Sequence, residues 1–253
     1  MIKSQDYFDL KDKVALITGA TGGLGSCISK TLANYGAKII ISDYDEVRCK
    51  ELVEELNDMG MECQYIVCDL STENAGEDLA KQAFQIHQKI DICVGNAGIA
   101  DNANTPNEKI MRTNLRANVD MTDYLAPKMA QQGGGSIIFM SSIAGVRGNK
   151  ALNLYSLSKA ALVQLARNTA VQWGSKNVRA NAISPGLIRT PLSTGLLQDE
   201  TFMSKRMQMT PLRRVGEPEE IASIVLLLAS AAGGFITGQN IVADGGTVIT
   251  DGS

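Results

Sequence analysis

The sequence predicts an α/β fold, a doubly wound seven-stranded parallel sheet with helices on both faces. Three observations predict it. Short apolar runs alternate with amphipathic stretches along the whole chain. The apolar runs are nearly continuous, as in strands covered on both sides. Several amphipathic stretches close on a glycine, as at Gly36 and Gly60, where a helix ends with its chain turning back.

Element by element, strands are expected at residues 13–18, 38–42, 62–68, 90–95, 135–141, 178–183 and 240–243. Helices are expected between them at 24–35, 45–59, 73–88, 109–131, 155–173 and 217–230. Right-handed crossovers make this a doubly wound sheet, with ligands binding at the carboxyl ends of the strands. No repeat, low-complexity tract or linker divides the chain, so residues 1–253 read as one domain. The irregular stretch 186–211, with Pro191 and several methionines, reads as a lid or substrate loop over residues 187–211.

Composition narrows the function classes. With 44% apolar and 20% charged residues, the chain can bury a sizeable core. A net charge of -3 without basic runs argues against nucleic acid or an anionic membrane as partner. Apolar stretches such as 221–232 are too short to span a bilayer, and residues 1–13 lack the apolar core of a secretory signal. A cytoplasmic location is expected. The five cysteines (Cys27, Cys49, Cys63, Cys68 and Cys93) include no C-x-x-C pair and read as reduced thiols. The single histidine, His87, reads as solvated, which leaves no histidine-based metal site or triad; no metal is expected.

The first strand runs into Thr18-Gly19-Ala20-Thr21-Gly22-Gly23-Leu24-Gly25. Glycines here permit a tight turn and close backbone approach to a pyrophosphate, which the following helix N-terminus stabilises. Gly19, Thr21, Gly23, Leu24 and Gly25 are the candidate contacts. A plain tight turn is the competing reading. Asp43 ends the second strand, where a carboxylate accepts hydrogen bonds from the adenosine ribose and repels a 2′-phosphate. Thr21, Gly22 and Tyr44 bring no basic residue there, so NAD is favoured over NADP. Arg48, in the next helix, weighs the other way.

Tyr155 and Lys159 stand at i and i+4 on one helix face. A phenol titrates near pH 10, and bringing it to neutrality takes roughly 4 kcal/mol, within reach of two close cations in a partly desolvated cleft. Tyr155 can then move the proton while a nicotinamide carries the hydride. Alone, such a pair is often a solvated face. Ser142, after the strand at 135–141, stands at the correct sheet edge to hydrogen-bond the reacting oxygen, although strand-end serines are usually turn formers.

With these motifs together, the chain resembles the short-chain dehydrogenase/reductase family, from about Leu10 to Gly246. The match runs through the glycine loop, Cys68-Asp69-Leu70, Asn96-Ala97-Gly98, Thr113-Asn114-Leu115, Ser141-Ser142, Tyr155-x-x-x-Lys159, Asn181-Ala-Ile-Ser-Pro185-Gly186 with Thr190, and residues 236–246. The resemblance implies a Rossmann fold. It implies Tyr155 as general acid/base, Lys159 lowering its pKa and holding the nicotinamide ribose, Ser142 polarising the substrate oxygen, and Asn114 bonding a water in a proton relay from Lys159. It places Asp69 and Leu70 at the adenine, Asn96, Ala97 and Gly98 along the adenosine ribose side, and Pro185, Gly186, Ile188 and Thr190 around the nicotinamide. It also implies a homotetramer, built on the helices bearing Asn114 and Tyr155 and on the carboxyl-terminal segment; a dimer is the plainer alternative.

Two departures stand out. Gly95 occupies a place where the family often has asparagine, and the segment 99–113 is short, so the start of the long helix is expected to be trimmed or reshaped. The substrate is expected to be a secondary alcohol or carbonyl compound, with a simple alcohol, a sugar, a sterol and a hydroxy acid all open, in a pocket of Ser142, Ile143, Ala144, Asn149, Tyr155, Leu187 and the lid. Arg147, near its mouth, reads as a surface arginine, with attraction of a carboxylate or phosphate as the alternative. The carboxyl-terminal half is similar to 3-oxoacyl-acyl carrier protein reductases, which normally use NADPH; Asp43 and the acidic balance count against that task. A non-catalytic nucleotide-binding scaffold is a third reading, disfavoured by the complete tetrad.

Overall fold

The computed structural model describes residues 7–100 and 105–250. Seven parallel strands form one sheet in the order β3-β2-β1-β4-β5-β6-β7. They are β1 (Val14–Thr18), β2 (Lys38–Asp43), β3 (Cys63–Val67), β4 (Ile92–Gly95), β5 (Gly135–Met140), β6 (Val178–Pro185) and β7 (Asn240–Ala243). The order reverses between β1 and β4, so the carboxyl ends of these two strands open the crevice in which a doubly wound sheet binds its ligand.

Alternation along β1 divides the core in two. Ala15 and Ile17 face one layer with Ile28 and Leu32 of α1 (Gly23–Asn34), Leu52 and Leu56 of α2 (Glu46–Asp58), and Val225 and Leu228 of α9 (Pro218–Ala229). Val14 and Leu16 face the other layer with Leu79 and Ala83 of α3 (Ala75–His87), Met121 and Leu125 of α5 (Ala117–Gln131), and Leu162 and Ala166 of α6 (Asn153–Trp173). Each fully buried leucine or isoleucine in these layers contributes about 1.5–3 kcal/mol. On the outer strand β3 burial is only partial: Cys63 is buried in the first layer and Ile66 in the second, while Gln64 and Val67 are exposed at the sheet edge.

Two regions differ from the sequence expectation. The helix expected at 109–131 begins earlier, at Asn107. It comprises α4 (Asn107–Met111), a π-helical turn (Arg112–Arg116) and α5. The wider turn carries Thr113 and Asn114 into the interior, where both are buried. Of the short segment 99–113, residues 101–104 lie outside the described residues, as do residues 1–6 of the stretch read for a signal.

The lid is also more regular than expected. After Pro191–Ser193 come α7 (Thr194–Gln198) and α8 (Glu200–Gln208). Local caps start these turns: Thr190 and Ser193 form a reciprocal capping box, and the Asp199 carboxylate accepts from the Phe202 N–H at 2.9 Å. Among the described residues, no helix is long and apolar enough to cross a membrane. His87, expected in solvent, ends α3 with its side chain only 16% exposed and Nε2 3.6 Å from Glu62.

Candidate active site

The crevice is organised first by Thr18. Its hydroxyl accepts from the backbone N–H groups of Asn96 and Ala97 at 3.1 Å each, tying the end of β1 to the chain leaving β4. Asn96 returns the contact, its Nδ2 donating to the carbonyls of Thr18 and Gly19 at 3.0 Å. Gly19 has φ +61 and lies so close to Ala97 that an added Cβ would stand 2.8 Å from its Cα. A Cβ on Gly25 would collide with the Gly19 carbonyl oxygen, so the turn into α1 closes only with glycine there.

At the start of α1, Gly22 supplies no side-chain cap and no acid stands in the first turn. The first N–H groups of a helix have no intrahelical partner, so this end offers free donors and partial positive charge to an anion. By contrast α2 is capped by Asp45, whose carboxylate accepts from the Arg48 N–H at 3.2 Å. The chain has left its anion-accepting end uncapped at the sheet switch point, and these donors and the glycine cradle suit a dinucleotide's diphosphate.

Asp43, at the end of β2, is buried and structurally engaged. Its Oδ2 accepts from Thr21 N–H (3.1 Å) and Thr21 Oγ1 (2.8 Å), and its Oδ1 accepts from Tyr44 N–H (2.8 Å). A carboxylate has about four acceptor positions, so roughly one stays open, on Oδ1. Arg48 reaches the same loop, with Nη2 donating to the Thr21 carbonyl at 2.7 Å. Asp69 is exposed and accepts from the Ser71 N–H at 2.9 Å; Ser71 holds its carboxyl below the usual range, while Leu70 is buried.

The four predicted catalytic side chains converge at the carboxyl ends of β4 and β5. Lys159, 3% exposed, donates from Nζ to the Met140 carbonyl at 2.7 Å and lies 5.6 Å from the Tyr155 ring centroid. Burial pulls its pKa down to about 8. Gly98 makes room for it: a Cβ there would stand 2.9 Å from Nζ. Burial pushes the Tyr155 phenol up, and its hydrogen bond with the Ser142 side chain acts the other way. Ser142 Oγ also accepts from the Ala144 N–H at 3.1 Å, fixing the turn after β5.

Asn114 is fully buried, and its carboxamide is engaged by protein groups. Oδ1 accepts from Ile99 N–H (2.8 Å), while Nδ2 donates to Ile99 O (2.9 Å) and Ser158 Oγ (3.1 Å). Ser158 Oγ in turn donates to the Tyr155 carbonyl at 2.7 Å. The Asn114 carbonyl accepts from Asn118 Nδ2 at 3.0 Å. Asn118 also accounts for Gly95, where a Cβ would collide with its Oδ1. Ser158 and Asn118 carry no signal in the sequence, because a hydroxyl or amide one turn from a motif means nothing until the fold brings its partner; Thr18 opens the glycine motif, but its partners Asn96 and Ala97 are visible only in the fold.

On the β6 side of the crevice, Pro185 ends β6, Gly186 packs on Asp244, and Ile188 pairs with Gly216. Thr190 and Pro191 rest on the glycine loop: a Cβ on Gly23 would stand 2.9 Å from Thr190 Cβ and 2.8 Å from Pro191 Cδ. A cavity of about 190 Å³ lies behind the lid between Leu187, Met207, Thr210 and Thr247; another of about 500 Å³, around Leu70, Arg112 and Arg116, does not touch the tetrad.

Comparison with known proteins agrees with this geometry. The family model described as Enoyl-(Acyl carrier protein) reductase matches residues 19–248. A tropinone reductase homolog of Arabidopsis thaliana is 37% identical over 249 residues, 96% of this chain and 81% of that protein. Dehydrogenase/reductase SDR family member 4 of Oryctolagus cuniculus is 35% identical over 244 residues, 94% of each chain. Among solved structures, a gluconate 5-dehydrogenase from Burkholderia cenocepacia in complex with NADP and tartrate has a TM-score of 0.92 at 29% identity, covering 98% of this chain and 100% of that one. A 3-oxoacyl (acyl-carrier-protein) reductase from Agrobacterium tumefaciens with NADP bound has a TM-score of 0.91 at 30% identity, covering 96% and 97%. The chain is an oxidoreductase that belongs to the short-chain dehydrogenase/reductase family.

Proposed function

We propose that the protein is an NAD(H)-dependent enzyme interconverting a small secondary alcohol and its carbonyl compound, with Tyr155 as general acid/base. The observation that carries the reading is the meeting of Tyr155, Ser142, Lys159 and Asn114 at one end of the sheet, beside an uncapped helix N-terminus. When bound, the nicotinamide supplies hydride acceptance or donation. The chain's own residues do the rest. Ser142, hydrogen-bonded to Tyr155, holds the substrate oxygen against the phenol. Lys159 brings a positive charge to the Tyr155 ring and favours the phenolate. Asn114 acts as a positioning residue through Ser158, which fixes the Tyr155 backbone, and the proton relay from Lys159 belongs to the same proposal. Gly19, Thr21, Gly23, Leu24 and Gly25 would hold the diphosphate; Asp43, Asp69, Leu70, Asn96, Ala97 and Gly98 the adenosine and ribose side; and Pro185, Gly186, Ile188 and Thr190 the nicotinamide.

NAD is preferred in this reading because the open Oδ1 position of Asp43 suits a ribose hydroxyl and its charge opposes a phosphate. A second reading, an NADPH-dependent 3-oxoacyl-acyl carrier protein reductase, draws on Arg48 at the Thr21 carbonyl and on the NADP held by the two solved relatives above. A homotetramer is also proposed. Leu157 and Val171 on α6 are 57% and 87% exposed, and Phe235 and Ile249 near the carboxyl end lie open to solvent, apolar surface of the kind an interface covers.

Tyr155→Phe tests the mechanism. Turnover is expected to fall at least about 1,000-fold while calorimetric NAD affinity stays within threefold. Turnover within tenfold of the parent removes Tyr155 from the chemistry.

A further inference from the structure

Along α8, Phe202, Met203, Arg206 and Met207 are half-buried, whereas Thr201, Ser204, Lys205 and Gln208 are exposed. The inner stripe of the lid is therefore apolar except for one arginine. The Arg206 guanidinium lies 5.3 Å from the Phe202 ring centroid. Its Nη1 is enclosed and has no hydrogen-bond partner among the described residues. A second guanidinium serves the same corner. Arg147 Nη1 donates to Thr247 O at 3.4 Å, Thr247 Oγ1 lies 3.0 Å from Thr210 Oγ1, and that hydroxyl donates to the Arg206 carbonyl at 2.9 Å.

Each oxygen of the nearby acid, Asp244, accepts one backbone N–H, from Gly246 and Val248, at 2.8 Å each. Among the described residues it forms no ion pair with either arginine, and it only weakens the positive field around Arg206. Burial and Arg147 both oppose the charge on Arg206, yet a guanidinium does not give up its proton in a protein. Such a group is stabilised by an incoming anion. Two arginines against one aspartate leave a single net positive charge, which matches a carboxylate better than a phosphate dianion.

The corner also adjoins the reacting end. The strand-to-helix segment carrying Arg147 begins at Ser142, and Asp244 packs on Gly186, where an added Cβ would stand 2.8 Å from the Asp244 Cβ. We propose that Arg206, seconded by Arg147, is a carboxylate-binding subsite, and that the alcohol this enzyme oxidises is a hydroxy acid or sugar acid. This rests on the reading of Ser142 and Tyr155 as the reacting centre.

The test pairs lactate, β-hydroxybutyrate and gluconate with their carboxamides and adds a phosphorylated polyol. Each is followed by nicotinamide absorbance and by calorimetric binding to the parent, Arg206→Met, Arg206→Lys and Arg147→Gln, all checked for fold by circular dichroism. For at least one pair the parent is expected to favour the acid by at least about 100-fold in kcat/KM. That ratio is expected to approach one in R206M, to recover in part in R206K, and to fall about tenfold in R147Q, mainly through KM. A parent that treats acid and amide alike, a ratio unchanged in R206M and R147Q, or a preference for the phosphate ester overturns the subsite. If no alcohol is turned over but R206M abolishes calorimetric binding of an acid, the subsite stands and the catalytic reading fails.

Discussion

The two sides of the crevice are built on opposite plans. On the side of β1 and β2 the polar side chains are held by the protein itself: Asp43 holds Thr21 and Tyr44, Thr18 holds Asn96 and Ala97, and the turns close only because Gly19 and Gly25 lack side chains. On the lid side the guanidinium of Arg206 has an enclosed nitrogen without a hydrogen-bond partner among the described residues, Leu192 is 76% exposed, and short helices rest on local caps. The first side is preorganised for a ligand of fixed shape. The second holds apolar surface and charge in reserve for a ligand that completes it.

Changes on the rigid side should therefore cost both fold and affinity. Gly25→Ala has the largest expected effect, because its Cβ meets a backbone oxygen rather than a movable side chain. Urea denaturation should lose about 3 kcal/mol and calorimetric NAD affinity at least about 100-fold. Stability within about 0.5 kcal/mol of the parent would break the contrast.

Lys159, between the two sides, tests the electrostatics. Its pKa is about 8 when folded against 10.5 for a free lysine, so its burial opposes folding below pH 8, on the order of 3 kcal/mol, and the penalty fades as pH rises toward 10.5. Lys159→Met removes that penalty at every pH. The parent should gain on the variant by on the order of 2 kcal/mol between about pH 7 and about pH 10, read from denaturation without cofactor. Parallel pH profiles would contradict it.

The smallest expected effect is at Asp43. Asp43→Asn removes the charge facing a 2′-phosphate while keeping an acceptor for Thr21. The NAD-to-NADP ratio of kcat/KM should fall about tenfold, or ~1.4 kcal/mol. An unchanged ratio would hand selection to Arg48.

The same division explains what the sequence made legible. Strands, the glycine loop and the Tyr155–Lys159 pair could be read because each rests on a local requirement: continuous apolar runs, a turn without Cβ, or two side chains at i and i+4; Asn114 and Ser142 carry no such local requirement and rest on the family resemblance. Ser158 and Asn118 could not, since their meaning lies in partners far along the chain, Asn114 for one and the space at Gly95 for the other. The lid helices were missed because Thr190, Ser193 and Asp199 act as caps while reading as loop residues beside Pro191. Arg206 carries no signal in the sequence, because only the fold turns it inward.

The proposed task of this site is oxidation of a secondary alcohol with NAD. The most direct measurement is nicotinamide absorbance with the parent protein and a panel of secondary alcohols, polyols and hydroxy acids, run in parallel with NAD and NADP. Reduction of the nicotinamide by at least one of them is expected, with NAD favoured at least about tenfold. Silence across the panel, alongside NADPH oxidation on a short 3-oxoacyl thioester, would contradict it.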